Sequence, residues 1–223
     1  MQRVSPETAG LSATTLEEIS VILDGLVDAG HVAGVVAGVA RGGHVAYLHA
    51  AGYQDLETRT PMTERSRFRI YSMAKAVTAV GVMMLHEEGR FELDDPVADY
   101  LPAFERMQVL DPATGALRAP SRPITVRDLL LHTSGISHRN DDLYADARVR
   151  SRSISMAEFI DNVAAQPLME DPGTVYRYSE SPTILGGLIE VWSGQPLDVF
   201  MEERIFEPLG MTDTGFWVEP EDA

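Results

Sequence analysis

The stretch FRIYSMAKAVTAVGVMMLHEEG, residues 68–89, carries Lys75, the only lysine in the chain. Of the 18 lysine and arginine residues, all the others are arginine. Ser72 lies three positions earlier, where the segment turns helical. That spacing stacks both side chains on one helix face, and it places Ser72 in the positive field of a helix N-terminus. A serine that attacks an acyl carbon needs a neighbour to take its proton. Lysine can do this when burial and positive potential favour the neutral amine. Arginine cannot, because its guanidinium stays protonated. A chain that uses arginine everywhere else would still need lysine here. The S-x-x-K spacing alone is a weak signal, since a capping serine followed by a solvated lysine produces it too. The apolar run of Ala76, Val77, Val80, Val82, Met83, Met84 and Leu85 argues against a solvated face. It predicts a central buried helix, ended by Gly89.

Upstream, residues 11–30 (LSATTLEEISVILDGLVDAG) read as an amphipathic helix with Leu16, Ile19, Ile22 and Leu23 on one face and Gly30 as its stop. Residues 33–41 and 44–51 are apolar runs flanking Arg41-Gly42-Gly43, the signature of a hairpin. The polar stretch 53–68 reads as a loop. Downstream, residues 93–104 (LDDPVADYLPAF) predict a short helix between prolines. Residues 124–136 (ITVRDLLLHTSGI) predict a helix capped by Thr125 and stopped by Gly135. Residues 155–166 predict another, with Ser155 and Glu158 at the capping-box spacing. The stretches 181–194 and 196–210 complete the helical set. A two-stranded sheet alone is marginal in water, so further sheet is expected.

The second chemical constellation is DPGTVYRYSESPTILGGLIE, residues 171–190. A Pro172-Gly173 turn leads to Tyr178-Ser179-Glu180 just before a helix. A tyrosine held at a rigid turn can relay protons to a serine, although by itself a half-buried tyrosine with one hydrogen bond is the commoner case.

Composition narrows the partners. The formal charge of −16 repels phosphate backbones and anionic lipid. Nucleic-acid and membrane binding are therefore not expected. The absence of cysteine removes disulfides, thiolate metal sites and cysteine nucleophiles. The N-terminal residues lack the apolar core of a signal peptide, and no apolar run reaches membrane-span length, so a cytoplasmic protein is expected. The acidic pairs in LDDP (93–96) and NDDL (140–143) lack metal-loop spacing and read as caps and solvated loops. No G-x-S-x-G elbow is present, which disfavours an α/β-hydrolase. His132 and Ser134 read as a helix end and turn.

Together the segments 68–89, 124–136, 172–187 and 196–218 resemble, in order, the motifs of the serine β-lactamase-like family. That family includes class C β-lactamases, D-amino-acid-specific peptidases and a branch of carboxylesterases and acyltransferases. The resemblance implies an α+β fold of the β-lactamase/transpeptidase type, with a mixed sheet domain and a helical domain. The expected segments are 1–71 (helix and hairpin of the sheet domain), 72–195 (helical domain with the S-x-x-K helix and the tyrosine motif) and 196–223 (helix and exit). It further implies that Ser72 is the nucleophile, Lys75 its base or relay, and Tyr178 a partner in proton transfer to the leaving group. The Ser72 N–H would be one oxyanion donor. No metal or cofactor is implied.

Two departures shape the expected function. Glu180 stands where the family's second motif usually has asparagine, whose carboxamide contacts a substrate amide. A carboxylate there lowers the lactamase reading and makes Glu180 a candidate substrate-binding residue for a neutral ester. The family's third motif and its later sheet strands are not found in residues 1–223, so a C-terminal segment or second chain is expected to complete the fold. The leading expectation is a serine carboxylesterase acting on small acyl esters. The close alternative is a β-lactamase or D-amino peptidase using the same residues. The alternative of another class is an inactive fragment or binding protein on this fold.

Overall fold

In the computed structural model, which describes residues 1–139, 141–151 and 153–218, the chain forms two units, Met1–Arg69 and Ile70–Ala223. Asn140 of the NDDL pair and the end of the 196–223 segment, residues 219–223, lie outside the described residues. The mixed helix-and-sheet architecture expected from the sequence is the one observed.

In the first unit, helix α1 (Ala13–Asp28) starts where the Ser12 side chain accepts the Thr15 N–H. Strands β2 (Gly34–Arg41) and β3 (His44–Asp55) pair antiparallel and close on Arg41 and His44. The two-residue turn between them needs positive φ at both positions, and Gly42 (φ 59°) and Gly43 (φ 79°) supply it without steric cost. Two short strands widen the sheet beyond the hairpin. β1 (Gln2–Arg3) runs parallel to β3, and β4 (Thr60–Pro61) pairs back onto the end of β3. The stretch 53–68 is therefore not wholly loop: β3 runs on to Asp55, and Asp55 accepts the Glu57 and Thr58 N–H groups in the turn that returns to β4. The α1 face also differs from expectation. Leu16 and Ser20 are buried, whereas Ile22 is exposed. Ile22 lies off the stripe that runs through Leu16, Ile19, Ser20, Leu23 and Val27, and it projects outward.

The second unit is built on helix α2 (Ala74–Glu87) against helix α6 (Ser181–Ser193). Val82 and Leu85 of α2 and Ile184, Leu185, Leu188 and Ile189 of α6 are buried in one core with Phe200 and Met201. At the contact, Gly81 lets the helices close: a Cβ there would sit 3.3 Å from Ile189 Cδ1 of α6, and 3.2 Å from the Phe200 ring. Phe91 stacks on Trp192 at 3.9 Å, closing the core's end. The expectation that α2 is buried all round fails, because Val80 and Met83 are exposed. Only the face carrying Gly81, Val82 and Leu85 is fully packed.

The remaining elements are strands β5 (Val109–Leu110) and β6 (Leu117–Arg118) and helices α3 (Val126–Leu131), α4 (Asp142–Asp146), α5 (Met156–Ala164) and α7 (Leu197–Met201). Helix α7 passes into a wide turn over Glu202–Phe206. Residues 93–104 form two tight 3-10 turns, Val97–Asp99 and Pro102–Arg106, instead of one helix; Pro102 cannot donate to the preceding turn. The expected capping box of Ser155 with Glu158 is present, and the expected cap Thr125 turns out to form a second one with Asp128. Helix α3 stops at His132, earlier than Gly135, because His132 itself adopts the left-handed conformation (φ 57°).

Candidate active site

Ser72 sits in a 3-10 turn (Tyr71–Met73) that feeds directly into α2. Tyr71 holds φ 45°, a left-handed conformation that costs a bulky residue free energy. The strained residue precedes the exposed Ser72 and turns the chain sharply into the helix. One turn on, the Lys75 ammonium donates to Ser72 Oγ at 3.0 Å. The spacing read from the sequence therefore places the two groups in bonding contact.

Tyr178 comes from the segment that leads into α6. The Gly173 N–H donates to Thr133 O at 2.7 Å, and the Arg177 N–H donates to His132 O at 2.8 Å. An Arg177–Glu170 ion pair braces the same segment. A chain of hydroxyls then ties the turn after α3 to the start of α6. Ser134 Oγ lies 2.9 Å from Ser181 Oγ, which accepts from Ser179 Oγ at 2.8 Å. These bonds fix Tyr178 with its Oη 2.6 Å from Ser72 Oγ. The Lys75 Nζ lies 4.8 Å from the centre of the Tyr178 ring, a favourable placement of a cation on a π face.

The electrostatics favour proton transfer. Hydrogen bonding from Lys75, and then from Ser72, holds the Tyr178 phenol below its ordinary value of 10. His132 stacks on the Tyr178 ring at 5.2 Å, and its Nδ1 is 3.1 Å from Ser179 Oγ. Burial, with the Lys75 charge adding to it, lowers the His132 imidazole. His138 also lies against Tyr178, its ring tilted by 42° with the centroids 5.5 Å apart. Sequence reading missed both histidines as neighbours of Tyr178. The signal lay in LHTSGISH, where a helix end followed by a glycine turn brings His132 and His138 back towards one place.

Ser72, Lys75 and Tyr178 are thus brought together. Glu180 is not placed with them. Its carboxylate is 2% exposed and faces Arg139, Arg150 and His138. Among the described residues no group of three or more histidine or acidic side chains is placed to hold a metal ion, and no helix is long and apolar enough to cross a membrane. A hydroxyl bonded at once to an amine and to a phenol of lowered proton affinity is an arrangement suited to nucleophilic attack on an acyl carbon.

A family model described as Beta-lactamase matches residues 20–223. Esterase EstB of Burkholderia gladioli is 32% identical over 229 residues, covering 98% of this chain and 56% of that protein. Among solved structures, EstCE1, described as a hydrolase with promiscuous acyltransferase activity, superimposes with a TM-score of 0.82 at 30% identity, covering 94% of this chain and 54% of that one. The simvastatin synthase LovD of Aspergillus terreus follows at a TM-score of 0.73 and 27% identity, covering 89% and 52% of the two chains. These likenesses establish the β-lactamase/transpeptidase-like fold. The chain spans about half the length of the curated relatives it matches.

Proposed function

Because the chain belongs to the Beta-lactamase family, we propose that it is a serine hydrolase that passes through an acyl-enzyme on Ser72 and acts as a carboxylesterase on small acyl esters in the cytoplasm. The observation that carries this reading is the convergence on Ser72 Oγ of Lys75 Nζ at 3.0 Å and Tyr178 Oη at 2.6 Å. Ser72 Oγ attacks the ester carbonyl, and its proton passes to the Tyr178–Lys75 pair. The Ser72 N–H, at the positive entry to α2, stabilises the developing oxyanion. Collapse of the tetrahedral intermediate expels the alcohol, which takes the proton back from the pair. Water then attacks the acyl-serine by the reverse route, releasing the acid and restoring the Ser72 hydroxyl. No step requires a metal or an organic cofactor.

The names of EstB and EstCE1 support ester chemistry. So does Glu180, which offers no carboxamide to a substrate amide and is turned towards the arginines. A further segment or chain completes the site in this reading. The relatives' greater length supports that, as do uncovered apolar side chains in each unit: Val21 and Ile22 in the first, Met73 and Val80 in the second. The test compares a short-chain p-nitrophenyl ester with a chromogenic cephalosporin. Ester turnover that is lost in Ser72→Ala, with little cephalosporin turnover, is expected. Cephalosporin hydrolysis as fast as ester hydrolysis would transfer the assignment to lactam chemistry.

A further inference from the structure

Glu180 carries a deeply buried charge two residues from Tyr178, and the proposed chemistry leaves it without a task. A buried carboxylate is strongly disfavoured unless cations and donors surround it. Here they come from one segment of chain. Oε1 accepts the Arg139 backbone N–H at 3.3 Å and lies 3.7 Å from His138 Nε2 and 3.9 Å from Arg139 Nη1. Oε2 accepts from Arg150 Nη1 at 3.4 Å. The Glu180 N–H donates to Ser137 O at 3.1 Å. His138, held in this way, is the residue whose ring lies against Tyr178.

We propose that Glu180 is a positioning residue: by gathering Arg139, Arg150 and His138 it fixes the segment that sets His138 against Tyr178, and it offsets the cationic charge beside the Lys75–Tyr178 pair. This rests on the roles given above to Ser72, Lys75 and Tyr178. Glu180 acts through these groups and does not touch the substrate. Among the described residues, the charged and titratable groups around the pair include Lys75 on α2, His132, His138 and Arg139 on the chain after α3, Arg150 beyond α4, and Glu180 at the start of α6. Among the described residues, two guanidiniums face one carboxylate, which leaves a surplus of one positive charge there. Burial lowers His138 while Glu180 pulls it up, and the Glu180 charge opposes the lowering of Tyr178. Removing the carboxylate adds positive potential. That favours the phenolate and the neutral imidazole, so both groups titrate at lower pH.

The experiment follows two quantities across pH in the full chain: the rate of Ser72 labelling by a fluorophosphonate, and the His138 ring-proton shift by NMR. Glu180→Gln should move the rising limb of the labelling rate and the His138 titration to lower pH, by about 0.5 to 1 unit. Glu180→Gln combined with Arg150→Gln restores the surplus of one and should return both towards wild type. Arg150→Gln alone should move both the other way. It leaves Glu180 in place, so the charge balance around His138 is still read where Glu180→Gln does not fold. Unmoved titrations, or shifts that the double variant does not reverse, would overturn the proposal. Wild type that fails to label while His138 shifts as described would overturn the Ser72 assignment and leave the Glu180 role standing.

Discussion

Ser72 Oγ and Tyr178 Oη lie 2.6 Å apart although 106 positions separate them in the chain. The contact joins the strained entry to α2 with the hydrogen-bonded entry to α6, so the two long helices of the core also deliver the two ends of the proposed proton path. If the path works as described, Tyr178→Phe keeps the ring that Lys75 and His132 contact but removes the oxygen. Acylation should fall by about 10²-fold or more. In the proposed path the phenol acts when deprotonated, and hydrogen bonding from Lys75 lowers its titration. Wild-type activity should therefore rise with pH along a limb centred below the ordinary phenol value, and Tyr178→Phe should remove or displace that limb. Stopped-flow acylation rates across pH measure both.

Lys75→Arg keeps a positive charge one turn after Ser72 but substitutes a group that cannot give up its proton. Ester turnover should drop by about 10²- to 10⁴-fold with the thermal midpoint nearly unchanged. Retention of most activity would remove Lys75 from the proton path.

Asp128 is a structural counterpart to these groups. Its carboxylate is buried and accepts from Arg122 at 2.6 and 2.8 Å, from Thr125 and from Thr133. Burial raises its proton affinity, but the bonds from Arg122, Thr125 and Thr133 outweigh burial and hold it below 3.8. A depressed folded-state value gives stability that is present above the unfolded value and lost as pH falls through the folded one. Asp128→Asn should cost about 2 kcal/mol near neutrality and should flatten the acid limb of stability. Urea unfolding at a series of pH values reads both.

Gly135 turns the chain between His132 and His138 at φ 80°, and a Cβ there would lie 2.2 Å from the Glu170 carbonyl oxygen. Gly135→Ala should destabilise by about 2 kcal/mol or more. It should also slow acylation, because the same turn carries both histidines that flank Tyr178. A variant as stable and active as wild type would show that the turn yields easily.

Local chemistry was the legible part of the sequence. The Gly42-Gly43 turn, the Thr125 cap and the Ser155–Glu158 capping box follow from residues within four positions of one another, and so does the Ser72–Lys75 contact. What depended on distant partners was less legible. Ile22 has the right residue type for the α1 stripe but the wrong angle. Val80 and Met83 read as core because apolar content does not show which face of α2 is packed. Strand β4 is too short to announce itself and exists through its pairing with β3. The left-handed His132 ends α3 before the glycine that looked like the stop. For the site, the types at 72, 75 and 178 were readable, whereas the partners of Glu180 were not. Arg139 and Arg150 are ordinary surface-looking residues in the sequence, and only the fold brings them to a buried carboxylate.

The central claim is that Ser72 becomes acylated. Reaction of the chain with a fluorophosphonate, followed by intact-mass measurement and peptide mapping, tests it most directly. One adduct per chain is expected, carried on the peptide containing Ser72, absent in Ser72→Ala and formed far more slowly in Lys75→Arg. An adduct on another residue, or ester hydrolysis that persists in Ser72→Ala, would contradict it.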